Sequence, residues 1–205
     1  MKVPLIVAAL LFAAINAHAG NDAAYIWSDD EGSVRITRGI KNIPERYRGK
    51  SKPITVEVVA GGSHQAPSGA VDVAGGATTL GFNPEVSPIT VPAVFHKSTA
   101  RDAWIDTGSE YVVITEKLAH SLGYSGRKAE KRVFHTPSGA VTAPVIILAK
   151  MSVGGATAHD VPAAILNFEG RGPVSAIVGM SFLSRFAVEI NGKEGLITIS
   201  LPLER

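Results

Sequence analysis

The sequence predicts an all-β fold: a closed, barrel-like domain with one or two short helices, preceded by a small β-hairpin domain at the N-terminus. Three observations carry this. From Ile89 onward nearly every apolar run is short, rich in β-branched residues and bounded by turn residues. Only two segments in that region have helical spacing. A separate aromatic stretch with hairpin patterning comes earlier, set off by a Gly-, Ala-, Ser- and Pro-rich interval.

Residues 1–19 read as a secretory signal peptide. Met1-Lys2 gives a positive start, Pro4 to Ile15 an apolar run, and Ala17-His18-Ala19 a small-x-small cleavage signal before Gly20. An apolar run of about 12 residues is too short to span a bilayer comfortably. The mature chain is therefore expected to be periplasmic, if the source is a Gram-negative bacterium, or secreted, with no stable membrane span after cleavage. Inner-membrane anchoring is the alternative if the signal stays uncleaved. The chain has no cysteine, which excludes disulfides, a thiol nucleophile, thiolate metal sites and a lipid-modified Cys at the cleavage point.

Residues 20–60 form the small domain. Tyr25-Ile26-Trp27 precedes the acidic turn Asp29-Asp30-Glu31-Gly32, and Val34-Arg35-Ile36-Thr37 alternates afterwards, which is a hairpin signal. Asn42 to Tyr47 reads as a turn with a helical start at Pro44. The aromatic pair reads as a mini-core rather than a ligand cage. This pattern resembles a small domain of bacterial envelope proteins whose role is undefined. Residues 61–88 read as a linker, with Gly61-Gly62, Gly75-Gly76 and no sustained apolar periodicity. Whether it merely joins two units or tethers one that holds a target is left open.

In the 89–205 domain, strands are expected over Ile89 to Phe95, Ala103 to Ile105, Tyr111 to Thr115, Lys131 to His135, Val141 to Ala149, Met151 to Val153, Ala163 to Leu166, Ala187 to Ile190 and Leu196 to Leu201. One helix is expected over Glu116 to Leu122, with Thr115 as N-cap and Gly123 just past its end. A second runs from Ser181 to Phe186, after Gly179. Between the second and third strands lies Asp106-Thr107-Gly108-Ser109. Asp and Gly are ordinary turn residues, but here an apolar strand delivers a carboxylate, a Gly permits close backbone approach, and a β-branched strand and then a helix follow.

That order resembles the retropepsin-like aspartic proteases of the bacterial envelope, and the resemblance covers about Ile89 to Leu201. A second hallmark agrees: Ala176-Ile177-Val178-Gly179-Met180-Ser181-Phe182-Leu183 has two apolar residues, Gly, then a short helix. The resemblance implies a closed retropepsin-like barrel, with Asp106 as the catalytic carboxylate. Thr107 falls where a hydroxyl braces the two turns across a dimer. Gly108 lies where a side chain would block the carboxylate pair, and Ser109 where the Asp is commonly hydrogen-bonded. Gly179 leaves room for the strand Ile177-Val178 to thread beneath the turn. A substrate-covering flap is expected between the hallmarks, and Phe134 to Val141 is the candidate, with Thr136, Ser138, Gly139 and Ala140 at its tip. A plain surface hairpin is the other reading. Leu196-Ile197-Thr198-Ile199 is a candidate for an intersubunit strand.

The chemistry needs two carboxylates: one ionised, polarising the attacking water, and one protonated, donating to the scissile carbonyl. Two carboxyls about 3 Å apart cannot both ionise, so the pair shares a proton. The chain has only one Asp-Thr-Gly, and at 205 residues it is shorter than pepsin-like enzymes, which carry both turns. Two chains must then meet, each giving one Asp106, and a homodimer is expected. The predicted activity is endopeptidase cleavage of a peptide or protein substrate, without cofactor or metal. A catalytically silent peptide- or cell-wall-binding envelope module is the alternative.

Other classes fare worse. A formal net charge of +2 gives no reason to expect nucleic acid. His64, His96, His120, His135 and His159 are scattered without metal-ligand spacing. Gly108-Ser109-Glu110 is not a nucleophile elbow, and neither Ser138 nor Ser181 has a recognisable base.

Overall fold

The computed structural model describes residues 23–56, 69–96, 101–136, 139–168 and 174–202. The expected signal peptide therefore lies outside the described residues. The N-terminal hairpin is built from β1 (Ala24–Ser28) and β2 (Val34–Arg38), joined by a turn in which Gly32 has φ 86°. Asp29 organises that turn: its carboxylate accepts the backbone N–H groups of Ser33 at 2.9 Å and Glu31 at 3.0 Å. Helix α1 (Glu45–Arg48) follows Pro44 and folds back on the hairpin. Tyr25, Trp27, Ile43 and Tyr47 are buried together, with the Trp27 and Tyr47 rings stacked at 4.9 Å. This is the mini-core the aromatic pattern implies. The indole N–H of Trp27 donates to Thr37 Oγ1, and the Tyr47 hydroxyl to Asp30, so both aromatic polar atoms are satisfied.

After β3 (Lys52–Ile54), which pairs with β1, come β4 (Val71–Val73) and β5 (Ala77–Gly81). These two strands correct the linker reading over 71–81, and its residues 61–68 lie outside the described residues. Gly75 and Gly76, at φ 72° and 82°, form a tight turn between strands instead of a flexible joint. Val73 is buried against the main core and Leu80 packs on it. The strands are short and flanked by small residues, so the periodicity is too brief to register in composition.

The domain beyond contains β6 (Thr90–Phe95), β7 (Arg101–Ile105), β8 (Val112–Ile114), α2 (Glu116–Ser121), β9 (Lys131–Thr136), β10 (Gly139–Val153), β11 (Ala156–Ile165), β12 (Ala176–Val178), α3 (Met180–Leu183), β13 (Ala187–Asn191) and β14 (Leu196–Ser200). One sheet runs β4-β11-β8-β12-β7-β6-β10-β9, and β10 also pairs with β11. That extra pairing closes β11, β8, β12, β7, β6 and β10 into a ring, the expected barrel. Alternation fills it: Val91, Ala93 and Phe95 of β6 point inward between exposed neighbours. Met151, Leu148, Val161, Ala163 and Val178 add to the same core. β10 is one strand where two were expected, because Lys150 remains exposed within the ladder opposite His159. β11 begins seven residues earlier than the apolar run suggested, after a turn at Gly154 with φ 57°.

The second sheet has the order β3-β1-β2-β13-β14-β5. The N-terminal hairpin thus continues the sheet of the larger domain. Arg35 of β2 forks onto Glu189 of β13 with bonds of 2.8 and 2.7 Å, while its Nε donates to Asp29 at 3.0 Å. The order also corrects one expectation. β14 is flanked on both sides by β13 and β5 of its own chain, so it has no edge left to pair with another subunit. The sequence did not reveal β5, the strand that occupies that edge.

Candidate active site

β7 delivers Asp106. Ala103 and Ile105 are buried in the core, and the Ile105 N–H donates to Ile89 at 2.9 Å, which fixes the strand up to the carboxylate. The turn then closes on itself. Asp106 Oδ1 accepts the Gly108 N–H at 2.8 Å, and the Asp106 carbonyl accepts the Ser109 N–H at 3.3 Å. Asp106, Thr107, Gly108 and Ser109 are all half-buried, so the turn sits at the surface of a rigid support. β8 leaves it with Tyr111 and Val112 buried.

β12 runs between the two arms of this turn, parallel to β7 and antiparallel to β8. Val178 accepts the Asp106 N–H at 3.1 Å, and beyond Gly179 the N–H groups of Met180 and Ser181 donate to the carbonyls of Ser109 and Glu110, both at 2.8 Å. A Cβ on Gly179 would overlap the carbonyl oxygen of Tyr111 and lie 2.7 Å from that of Ser109. Only a residue without a side chain fits. The two sequence hallmarks are thereby brought into direct contact.

Two residues the sequence did not single out for support belong here. Ser181 is fully buried; its hydroxyl accepts the Val112 N–H at 2.8 Å and donates to the Pro162 carbonyl at 2.7 Å. It ties β8, β11 and α3 together, so it is no nucleophile. Arg185 is also buried and donates to the carbonyls of Ser181, His159 and Asp160. Burial pushes its guanidinium down to about 10, opposed by the Asp160 carboxylate and reinforced by Arg38, so it is charged at neutral pH. A serine inside an apolar helical segment is the signal that points to such bracing, since a buried hydroxyl needs partners.

The candidate flap is the β9–β10 hairpin, paired from Gly139↔Thr136 to Pro144↔Lys131. Thr136 Oγ1 donates to the Gly139 carbonyl at 2.8 Å, and Gly139 has φ 117°. Ala140 is exposed, and Ser138 lies outside the described residues. The base of the hairpin adjoins the exit of the Asp106 turn: Phe134 meets Tyr111 edge-on at 5.5 Å. A pocket of about 280 Å³ opens there, lined by Glu110, Tyr111, Glu130, Arg132, Val133 and Phe134. A larger cleft of about 650 Å³ lies away from Asp106, beside the N-terminal hairpin, with Arg35, Asp29 and Glu189 on its walls. Arg35 there is already bridged to both carboxylates. Among the described residues no group of three His, Cys, Asp or Glu side chains is gathered to hold a metal, and no helix is long and apolar enough to cross a membrane.

Residues 91–182 match the family model described as aspartyl protease. That stretch is similar to the aspartyl protease family. The matched stretch begins in β6, contains the Asp106 turn, and ends in α3 just past Gly179. The crystal structure of a retropepsin-like aspartic protease from Rickettsia conorii is similar with a TM-score of 0.49 and 20% identity, covering 65% of this chain and 96% of that one. No curated protein matches the sequence. Within the matched stretch, Asp106, Thr107, Gly108, Ser109 and Gly179 are brought together, while Thr136, Gly139 and Ala140 lie on the neighbouring hairpin.

Proposed function

We propose that this chain is an aspartic endopeptidase that works as a homodimer, with Asp106 of each chain forming one catalytic pair. The observation that carries the reading is Asp106 on a turn pinned from both sides by the β12–α3 crossing, within the stretch matched by the aspartyl protease family. A rigid turn with a half-buried carboxylate is what a shared-proton pair requires, because two carboxyls can share a proton only when their separation is held fixed. Each protease domain supplies one such carboxylate.

The reaction then balances with no further group. The ionised Asp106 takes a proton from water as the oxygen attacks the scissile carbonyl carbon, and the protonated Asp106 gives its proton to the carbonyl oxygen. Collapse of the resulting diol breaks the C–N bond, a proton passes to the leaving nitrogen, and the pair again holds one proton. The substrate lies as an extended strand beneath the β9–β10 hairpin, whose tip backbone at Thr136 and Ala140 offers hydrogen bonds. Thr107 braces one turn against its twin. Export by the 1–19 signal places this activity in the periplasm or outside the cell. The test is Asp106→Asn in the purified mature chain: peptide cleavage should fall by ~10²- to 10⁴-fold with the fold retained. Persistent cleavage removes Asp106 from the reaction. Retained peptide binding without cleavage by the parent favours a silent binding module.

A further inference from the structure

We propose that the pocket between the exit of the Asp106 turn and the base of the β9–β10 hairpin is a side-chain subsite that takes a lysine or arginine of the substrate. This rests on the endopeptidase reading and adds a substrate class to it. At about 280 Å³ the pocket lies just below the ~300–1,000 Å³ of small-molecule sites. One long side chain suits it better than a separate ligand.

Its walls are divided by chemistry. Tyr111 is buried and Phe134 stands edge-on to it at 5.5 Å, giving an aromatic surface on which a methylene stem can lie. Glu110, Glu130 and Arg132 supply the charge. Arg132 Nε lies 3.4 Å from Glu130 Oε1, and the described lining holds two carboxylates and one guanidinium. Among the described residues the lining carries one net negative charge. An apolar stem ending in a cation matches such a surface, and a carboxylate side chain is repelled by it.

The pocket is also held at a fixed place relative to the reacting group. Glu110 follows Ser109 directly, and the carbonyls of both are pinned by the N–H groups of Ser181 and Met180 at 2.8 Å. Arg132 and Phe134 lie on β9, whose pairing with β10 sets them opposite Ala143 and Val141. A substrate side chain in this pocket therefore keeps a constant offset from the scissile bond, which is the geometric condition for a positional preference.

The test exposes one randomised peptide library to two full-length proteins: the parent, read by sequencing cleavage products, and Asp106→Asn, read by which peptides are retained. Lys and Arg should be enriched over Glu at one position by roughly fivefold to tenfold, the range of a charge-assisted contact in a partly exposed pocket. The Glu110→Gln/Glu130→Gln double variant should bring that position to parity while preferences elsewhere persist. If the double variant misfolds, Glu130→Gln alone, at a half-exposed carboxylate, should at least halve the enrichment. Cleavage without basic enrichment, or enrichment untouched by these variants, overturns the subsite and leaves the protease reading standing. Basic enrichment among retained peptides with no cleavage by the parent supports the subsite and overturns the endopeptidase. Neither retention nor cleavage favouring a basic residue overturns the subsite outright.

Discussion

The backbone N–H of Asp106 donates to the carbonyl of Val178 at 3.1 Å, so the residue carrying the candidate carboxylate is tied to the residue just before Gly179. The next turn of chain repeats the tie, with Met180 donating to Ser109. Gly179 is needed for the crossing because of space and not because of dihedral angle: its φ of −101° suits any residue, yet a Cβ there collides with two carbonyls.

Gly179→Ala should therefore destabilise the domain around Asp106 by ~3 kcal/mol or more, since backbone cannot give way as a flexible side chain can. Cleavage should fall with it, because the Asp106 turn must shift to admit the methyl group. Urea unfolding followed by circular dichroism measures the first effect. A midpoint equal to the parent's would show that the crossing is looser than these contacts imply.

Arg185 leads to a second expectation. Its three bonds go to backbone carbonyls of α3 and β11, one of them on Asp160, a non-glycine residue at φ 51°. Lysine cannot reproduce a planar fork, so Arg185→Lys should lower stability by ~1–3 kcal/mol and Arg185→Ala by more, as buried carbonyls lose their donors. Chemical denaturation of both variants checks this. A lysine variant as stable as the parent would mean that the positive charge alone suffices there.

These cases mark what was legible in the sequence. Short β-branched runs bounded by turn residues predicted most of the barrel strands, and Thr115 was legible as the N-cap of α2, because strand runs and helix caps each write a local signal into the chain. The paired hallmarks around Asp106 and Gly179 were legible because each depends on a residue type with few substitutes. β4 and β5 were not: they are three and five residues long, set among Gly and Ala, and long-range pairing with β11 and β14 stabilises them. Missing β5 also left β14 looking like a free edge. The roles of Ser181 and Arg185 were hidden for a related reason, since their partners are backbone groups, which carry no residue-specific signal.

The hairpin should report acid. Burial pushes the Asp29 carboxyl up, but the Arg35 hydrogen bond and charge and the backbone N–H groups of Ser33 and Glu31 outweigh it and hold it below its ordinary 3.8. A carboxyl lowered in the folded state contributes stability above its unfolded value, and that contribution is lost as pH falls through the folded one. Below about pH 4 the hairpin should loosen. Trp27 lies under Arg35, with the guanidinium 5.6 Å from its ring. Its fluorescence should change over that range in the parent and much less in Asp29→Asn, where the titrating group is gone. Identical acid profiles would assign the transition to other carboxylates.

Catalysis by this chain requires the pairing of two Asp106 carboxylates under the proposed mechanism, and cleavage rate per chain measured across protein concentration, alongside mass by analytical ultracentrifugation, tests this most directly. The rate per chain should rise from near zero at high dilution to a plateau, following the fraction of dimer. A rate per chain that stays constant down to concentrations where only single chains sediment would contradict it.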